Sequence, residues 1–196
     1  MKPRENSKQR RPAHREPRVR VLIVCGGLRT EPEYLRGLKA HLRNPAVTVR
    51  VRAKGQAPKN LLNYACSPHV AGTDEFDQVW CVIDTDEFEL EDVARSAANR
   101  SIHLAVSNPC FELWLLLHYC DWRKPLVDAQ SAEQELKRYV AHYRKDELRF
   151  DDFAPGVGDA VKRAEQLDPT GCCYRRNPSS GVWKLVQRMS DTNQMP

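Results

Sequence analysis

No apolar run in this chain approaches the roughly 18 residues that a membrane-spanning helix needs, so a transmembrane protein is not expected. No apolar stretch follows the basic N-terminus within reach of a small-residue cleavage site, so the start does not read as a secretory signal. Cys-x-x-Cys is absent, and the nearest His neighbours, His118 for Cys120 and His69 for Cys66, lack zinc spacing; a structural zinc is not expected. Gly26-Gly27 is followed by no Gly-Lys-Ser/Thr and forms no Gly-x-Gly-x-x-Gly, which excludes a P-loop and a dinucleotide turn. No internal repeat is visible. Beyond residue 18 no charge surplus exists, with 24 basic against 24 acidic side chains.

The net charge of +5 therefore belongs to residues 1–18, where seven basic groups face two acidic ones among three prolines and almost no apolar side chains. That composition predicts a disordered basic arm, which serves either as a solubilising tail or as a grip on phosphates by counterion release. The seven cysteines are an odd number, and four lie in apolar segments where Cys packs as a small hydrophobe. A reduced, cytoplasmic protein fits this usage. The remainder, 19–196, is long enough for one core with appendages: a 19–125 α/β unit and a helical C-terminal extension, 126–196, packed on it.

Strands are predicted at 19–25, 47–51, 76–83 and 102–106 from β-branched alternation or saturation. Between them lie helices from about residue 30 to 42, 58 to 66 and 89 to 99. The first has Thr30 as N-cap, Pro32 in its first turn and Glu33 closing a capping box. Strands spaced by helices call for parallel crossovers and an open, mainly parallel four-stranded sheet flanked by helices. Ser107-Asn108-Pro109 should stop the fourth strand and cap a helix over 111–119 that is apolar nearly all round. A helix starting near Ser131 would line Leu136, Tyr139, Val140 and Tyr143 along one face, with Lys137, Arg138, Arg144 and Lys145 on others. Further helices are expected at 160–167 and after a Ser179-Ser180 cap, with a loop over 172–178.

The chemistry gathers where the third strand ends. Val79-Trp80-Cys81-Val82-Ile83 runs into Asp84-Thr85-Asp86-Glu87, and residues two apart on an extended chain share a side at about 6 to 7 Å. Asp84 and Asp86 are thus candidate ligands for a divalent ion in phosphoryl chemistry. A plainer reading has Asp86 capping the next helix with Glu89, which leaves Asp84 unexplained at a half-desolvated position. Glu112, in the first turn of an apolar helix, is either favoured there by the helix dipole or an added acid at the same rim. Cys110 and His118 sit in a segment better read as buried helix than as a nucleophilic pair.

Taken in order, Val21 to Cys25, Arg29-Thr30-Glu31-Pro32-Glu33-Tyr34, residues 79–87, residues 107–118 and Asn177-Pro178-Ser179-Ser180 resemble RloB-like proteins over roughly residues 19–190. The Asn-Pro-x-Phe-Glu-x-Trp box at 108–114 carries most of the likeness. RloB-like proteins look like Toprim-type domains. The resemblance implies a Toprim-like parallel α/β core and Mg²⁺ or Mn²⁺ bound by acids after the first and third strands for phosphodiester cleavage of RNA or DNA. It also implies a place in bacterial anti-phage abortive-infection loci, beside an ATPase partner. Asp84 and Asp86 match the Asp-x-Asp; the acid after the first strand does not, because Gly26 stands where family members usually carry Glu.

Either Glu31, which matches the Thr-Glu-Pro box, or Glu112 takes over as added ligand or base, or the protein is a non-catalytic nucleic-acid-binding or regulatory subunit. Arg29, Arg10, Arg11, Arg175 and Arg176 are the groups assigned to the nucleic-acid backbone. A lesser reading is a phosphate-binding module built on the Gly26-Gly27 turn.

Overall fold

Four apolar segments with β-branched residues pair side by side, and the helices between them cover both faces of the resulting sheet. The computed structural model describes residues 18–67, 70, 76–85 and 90–191. Among these the strands are β1 (Val19–Cys25), β2 (Val47–Ala53), β3 (Gln78–Asp84), β4 (Ile102–Asn108) and β5 (Ser179–Ser180), in the spatial order β2-β1-β3-β4-β5. The first four run parallel, as expected of a mainly parallel α/β sheet. The sheet has five strands rather than four, because Ser179 and Ser180 pair antiparallel with Asn108 and Ser107. That pairing carries β4 through Asn108 instead of ending it at Val106. The Ser107 and Ser180 hydroxyls meet at 3.1 Å, and Gly181 N–H donates to Val106 O at 2.7 Å.

The helices are α1 (Thr30–Leu42), α2 (Pro58–Ala65), α3 (Glu91–Ala98), α4 (Phe111–Leu116), α5 (Ala129–Leu136), α6 (Val157–Leu167) and α7 (Val182–Ser190). Strand alternation sorts them. Val21, Ile23 and Cys25 of β1 point into one core shared with α1, α4, α5, α6 and α7, while Leu22 and Val24 point into a second with α2 and α3. All five side chains are fully buried, each large one stabilising the fold by about 1.5–3 kcal/mol. The basic arm, apart from Arg18, and the proposed Asp86–Glu89 cap lie outside the described residues.

His118 follows α4 as a core residue. Its Nδ1 lies 2.9 Å from Trp114 O and its Nε2 2.9 Å from the Tyr34 hydroxyl. A carbonyl only accepts, so Nδ1 carries the proton and Tyr34 donates to Nε2. Both nitrogens are thereby used, which removes His118 as a base for Cys110. Burial holds its pKa down at about 4, against the usual 6.5. The folded value is the lower one, so stability present above about pH 6.5 is lost as pH falls toward 4, by about 2 kcal/mol between pH 7 and pH 5. Urea unfolding at those two pH values should show that drop, and His118→Gln should flatten it; an unchanged slope in the variant would assign the titration to another group.

Candidate active site

Because β1, β3 and β4 are parallel, their carboxyl ends share one rim, which is where open α/β sheets carry their sites. Gly26 N–H continues the ladder to Val82 O at 2.8 Å, and Lys54 N–H donates to Cys25 O at 3.1 Å. Thr85 N–H reaches both Ser107 O and Pro109 O at 3.1 Å, which pins the chain directly after Asp84 across the end of β4.

Glu31 enters from the first turn of α1. Thr30 does not act as the expected cap: Arg29 holds that position, and the Thr30 hydroxyl instead donates to Lys145 O at 3.0 Å. Glu33, the other half of the expected box, accepts Leu148 N–H at 3.2 Å. With both neighbours drawn to the 145–148 segment, Glu31 folds back over the glycine turn, where its Oε1 accepts Gly27 N–H at 3.0 Å. A Cβ at residue 27 would overlap this carboxylate, so glycine there is a condition of the arrangement. Glu31 is 6% exposed. Burial raises its pKa, and the charge of Glu112 raises it further against the lowering pull of nearby backbone N–H groups and Lys145.

Glu112 is buried in α4, all six of whose residues are buried. An isolated carboxylate there would be expensive, and two groups from far along the chain offset it. Its Oε1 accepts the Tyr143 hydroxyl at 3.1 Å and pairs with Lys145 Nζ at 3.1 Å. The sequence pattern places Tyr143 and Lys145 on a continuing helix, but α5 ends at Leu136 and the following residues form successive turns. The contacts to Glu112, Thr30 and Glu33 hold the 143–148 segment across the α1 N-terminus and override the helical spacing. Burial alone would lower the pKa of the Lys145 ammonium, yet Glu112 outweighs it and leaves it raised. Burial, reinforced by Glu112, raises the Tyr143 hydroxyl.

Asp84 is half-buried at the last position of β3. Burial, then the charges of Glu112 and Asp84, push the Cys110 thiol up, which sets both acids around one buried sulfur and makes that sulfur a poor nucleophile. The rim thus brings Glu31, Glu112, Lys145 and Tyr143 together with Asp84 on the adjoining strand end. Hard carboxylate oxygens are the donors that Mg²⁺ and Mn²⁺ take, so the chemistry of the acids at this rim fits the ion. Among the described residues, however, no three His, Cys, Asp or Glu side chains converge as an ion-holding group. Glu112 is turned to Lys145 and Tyr143, and Asp86 lies outside the described residues.

The assigned arginines divide. Arg29 is exposed at the rim, its Nη1 donating to Asp146 O at 3.3 Å. Arg175 and Arg176 are exposed on the 172–177 loop, where Arg175 pairs with Glu91 at the start of α3. That loop is held by the Asp168 carboxylate, which accepts the N–H groups of Gly171 and Cys173, each at 2.8 Å, and by Asn108, whose Nδ2 donates to Tyr174 O at 2.7 Å. Arg10 and Arg11 lie outside the described residues. Tyr143 and Lys145 are the site residues that sequence reasoning missed. The available signal was Glu112 itself, a carboxylate in an otherwise apolar helix that requires a cationic partner.

The family model described as RloB-like protein matches residues 21–189. No curated protein and no solved structure matches the chain. Among the described residues no helix is long and apolar enough to cross a membrane.

Proposed function

From the premise that this chain belongs to the RloB-like family, we propose that it is a Mg²⁺- or Mn²⁺-dependent nuclease that cleaves phosphodiester bonds of RNA or DNA. The observation that carries the reading is the buried Glu31–Glu112 acid pair, with Lys145 against it, on the strand-end rim that also holds Asp84. Buried titratable groups with perturbed pKa values, as Glu31 has, concentrate at catalytic sites. Asp84 and Asp86 would hold the ion, which when bound would supply charge neutralisation at the phosphate and an activated water. Glu31, with its raised pKa, transfers the proton. Lys145 fixes Glu112 and adds positive charge beside the scissile phosphate, and Arg29, Arg175 and Arg176 position the backbone. Action in anti-phage abortive infection beside an ATPase partner, in the cytoplasm, is part of the proposal and rests on family membership and composition.

A specific observation favours a second reading, a regulatory or nucleic-acid-binding subunit without catalysis: Gly26 supplies no acid, and Glu112 is already neutralised by Lys145. Purified protein assayed on tRNA and DNA with Mg²⁺ or Mn²⁺ separates the two. A Cβ at residue 26 would sit 3.3 Å from Val82 O, a close contact that needs a shift of a few tenths of an ångström, so Gly26→Glu is matched to wild type in melting temperature before it is assayed. Cleavage by wild type supports the first reading, and cleavage only after Gly26→Glu supports the second.

Gly27→Ala gives a finer test. The new methyl meets the end of the Glu31 side chain rather than backbone, so the protein should fold, with a loss of about 1–3 kcal/mol from the displaced buried carboxylate. Displacing the proton-transfer group should lower the cleavage rate about a hundredfold, the scale of general acid–base contributions. Full activity in Gly27→Ala would remove Glu31 from the mechanism.

A further inference from the structure

At the opposite side of the sheet from β5, the outer strand β2 borders a cavity of about 500 Å³. Five basic side chains from three separate segments line it: Arg20 of β1, Arg36 and Lys39 of α1, and Arg50 and Arg52 of β2, together with Phe76. Arg20 is offset by Asp77, which accepts its backbone N–H at 2.7 Å and its guanidinium at 3.2 Å. Lys39 Nζ donates to an uncharged group, Val49 O, at 2.8 Å. Arg36 and Arg52 are exposed and form no ion pair with a described residue. The Arg50 guanidinium lies over the Phe76 ring, 5.0 Å from its centroid.

A plainer cause for charge at this place is protection of an outer strand from pairing with another chain. That purpose needs one or two outward cations, and Lys39 already covers an edge carbonyl. It does not account for three elements converging their cations on one concavity, where mutual repulsion opposes folding. A ligand carrying several negative charges accounts for it. Arg50 and Arg52 are two apart on an extended strand and so share a side, about 6 to 7 Å from each other. They stand in register with Leu22 and Val24, and the next residue, Ala53, pairs with Cys25. The row of cations thus leads to the carboxyl end of β1, next to the glycine turn and Glu31. Guanidinium forks suit phosphate oxygens.

We infer that this β2-edge groove binds the phosphate backbone of a nucleic-acid strand and directs it toward the acidic rim. The direction of travel rests on the nuclease reading; binding in the groove is measured apart from it.

The test is fluorescence anisotropy with labelled single-stranded RNA and DNA in EDTA, so that no metal-dependent cleavage takes place. Wild type should bind, with an affinity that falls steeply with salt. Arg36→Ser/Arg52→Ser, matched to wild type in melting temperature, should bind about ten- to a hundredfold more weakly, and the slope of log K against log salt should lessen by about 1.4 for the two lost phosphate contacts. Arg36→Lys/Arg52→Lys should recover most of the affinity by keeping the charge. Unchanged affinity in the Ser variant, no binding by wild type, or tighter binding to poly-glutamate or anionic vesicles than to nucleic acid at equal ionic strength would each overturn the groove. Intact binding by the Ser variant beside metal-dependent cleavage by wild type would sink the groove and spare the nuclease; groove-dependent binding without cleavage would do the reverse.

Discussion

Mg²⁺ should raise the unfolding temperature of the wild-type protein and leave that of Asp84→Asn unmoved. A ligand that binds only the folded state adds about 2.7 kcal/mol at a hundred times its dissociation constant. For a domain of this size each kcal/mol shifts the melting temperature by about 2–4 °C, so saturating Mg²⁺ should raise it by about 5–10 °C. Asn keeps the size of Asp84 and removes its charge, and a hard divalent ion loses most of its attraction to an amide oxygen in place of a carboxylate. The variant should itself fold, since Asp84 is only half-buried and its backbone stays in register with Ser107. Differential scanning fluorimetry with and without Mg²⁺ reads the effect. An equal Mg²⁺ shift in both proteins would place the ion elsewhere.

Lys145→Met should be the most destabilising single change at the rim. It leaves Glu112, 3% exposed, with the Tyr143 hydroxyl still donating to Oε1 but without the Lys145 ammonium beside it. Stranding one member of a fully buried pair costs about 3–5 kcal/mol. The Lys145 side chain is 44% exposed, so solvent screens part of this, and a loss of about 1–3 kcal/mol is expected. Glu112→Gln/Lys145→Met should regain most of it, because no charge is left unpaired. The pH dependence carries a sign. The folded pKa of Lys145 is raised, so its stabilising contribution is complete below the unfolded value of about 10.4 and disappears as pH rises through the folded one. Chemical denaturation at pH 7 and in the alkaline range tests both points. A double variant no more stable than Lys145→Met would assign the loss to packing of the lysine stem.

The parts of this fold that were legible are those where one physical effect dominates. β1 and β3 are continuous apolar runs that only a doubly covered strand can bury, and the glycine turn and Asp84 follow from where those runs stop. β5 was not legible, because two serines carry no hydrophobic pattern and become a strand only through the free edge of β4. The Thr30-to-Glu33 capping box was misread for a related reason: the local pattern was sound, but backbone groups at 145 and 148 compete for the same side chains. Tyr143 and Lys145 kept helical spacing with Leu136 and Val140, so periodicity put them on a helix that tertiary contacts with Glu112 end early. Arg50 was visible as part of the polar half of an alternating strand, while Arg52 lay beyond the expected end at Val51. Their convergence with Arg36 and Lys39 depends on how α1 lies along β2, which no spacing records.

Cleavage of labelled tRNA and DNA by the wild type, side by side with Asp84→Ala/Asp86→Ala in Mg²⁺ or Mn²⁺, tests the central claim most directly. The account predicts metal-dependent products from the wild type and a rate at least about a hundredfold lower from the double variant. Equal cleavage by the two proteins would contradict it.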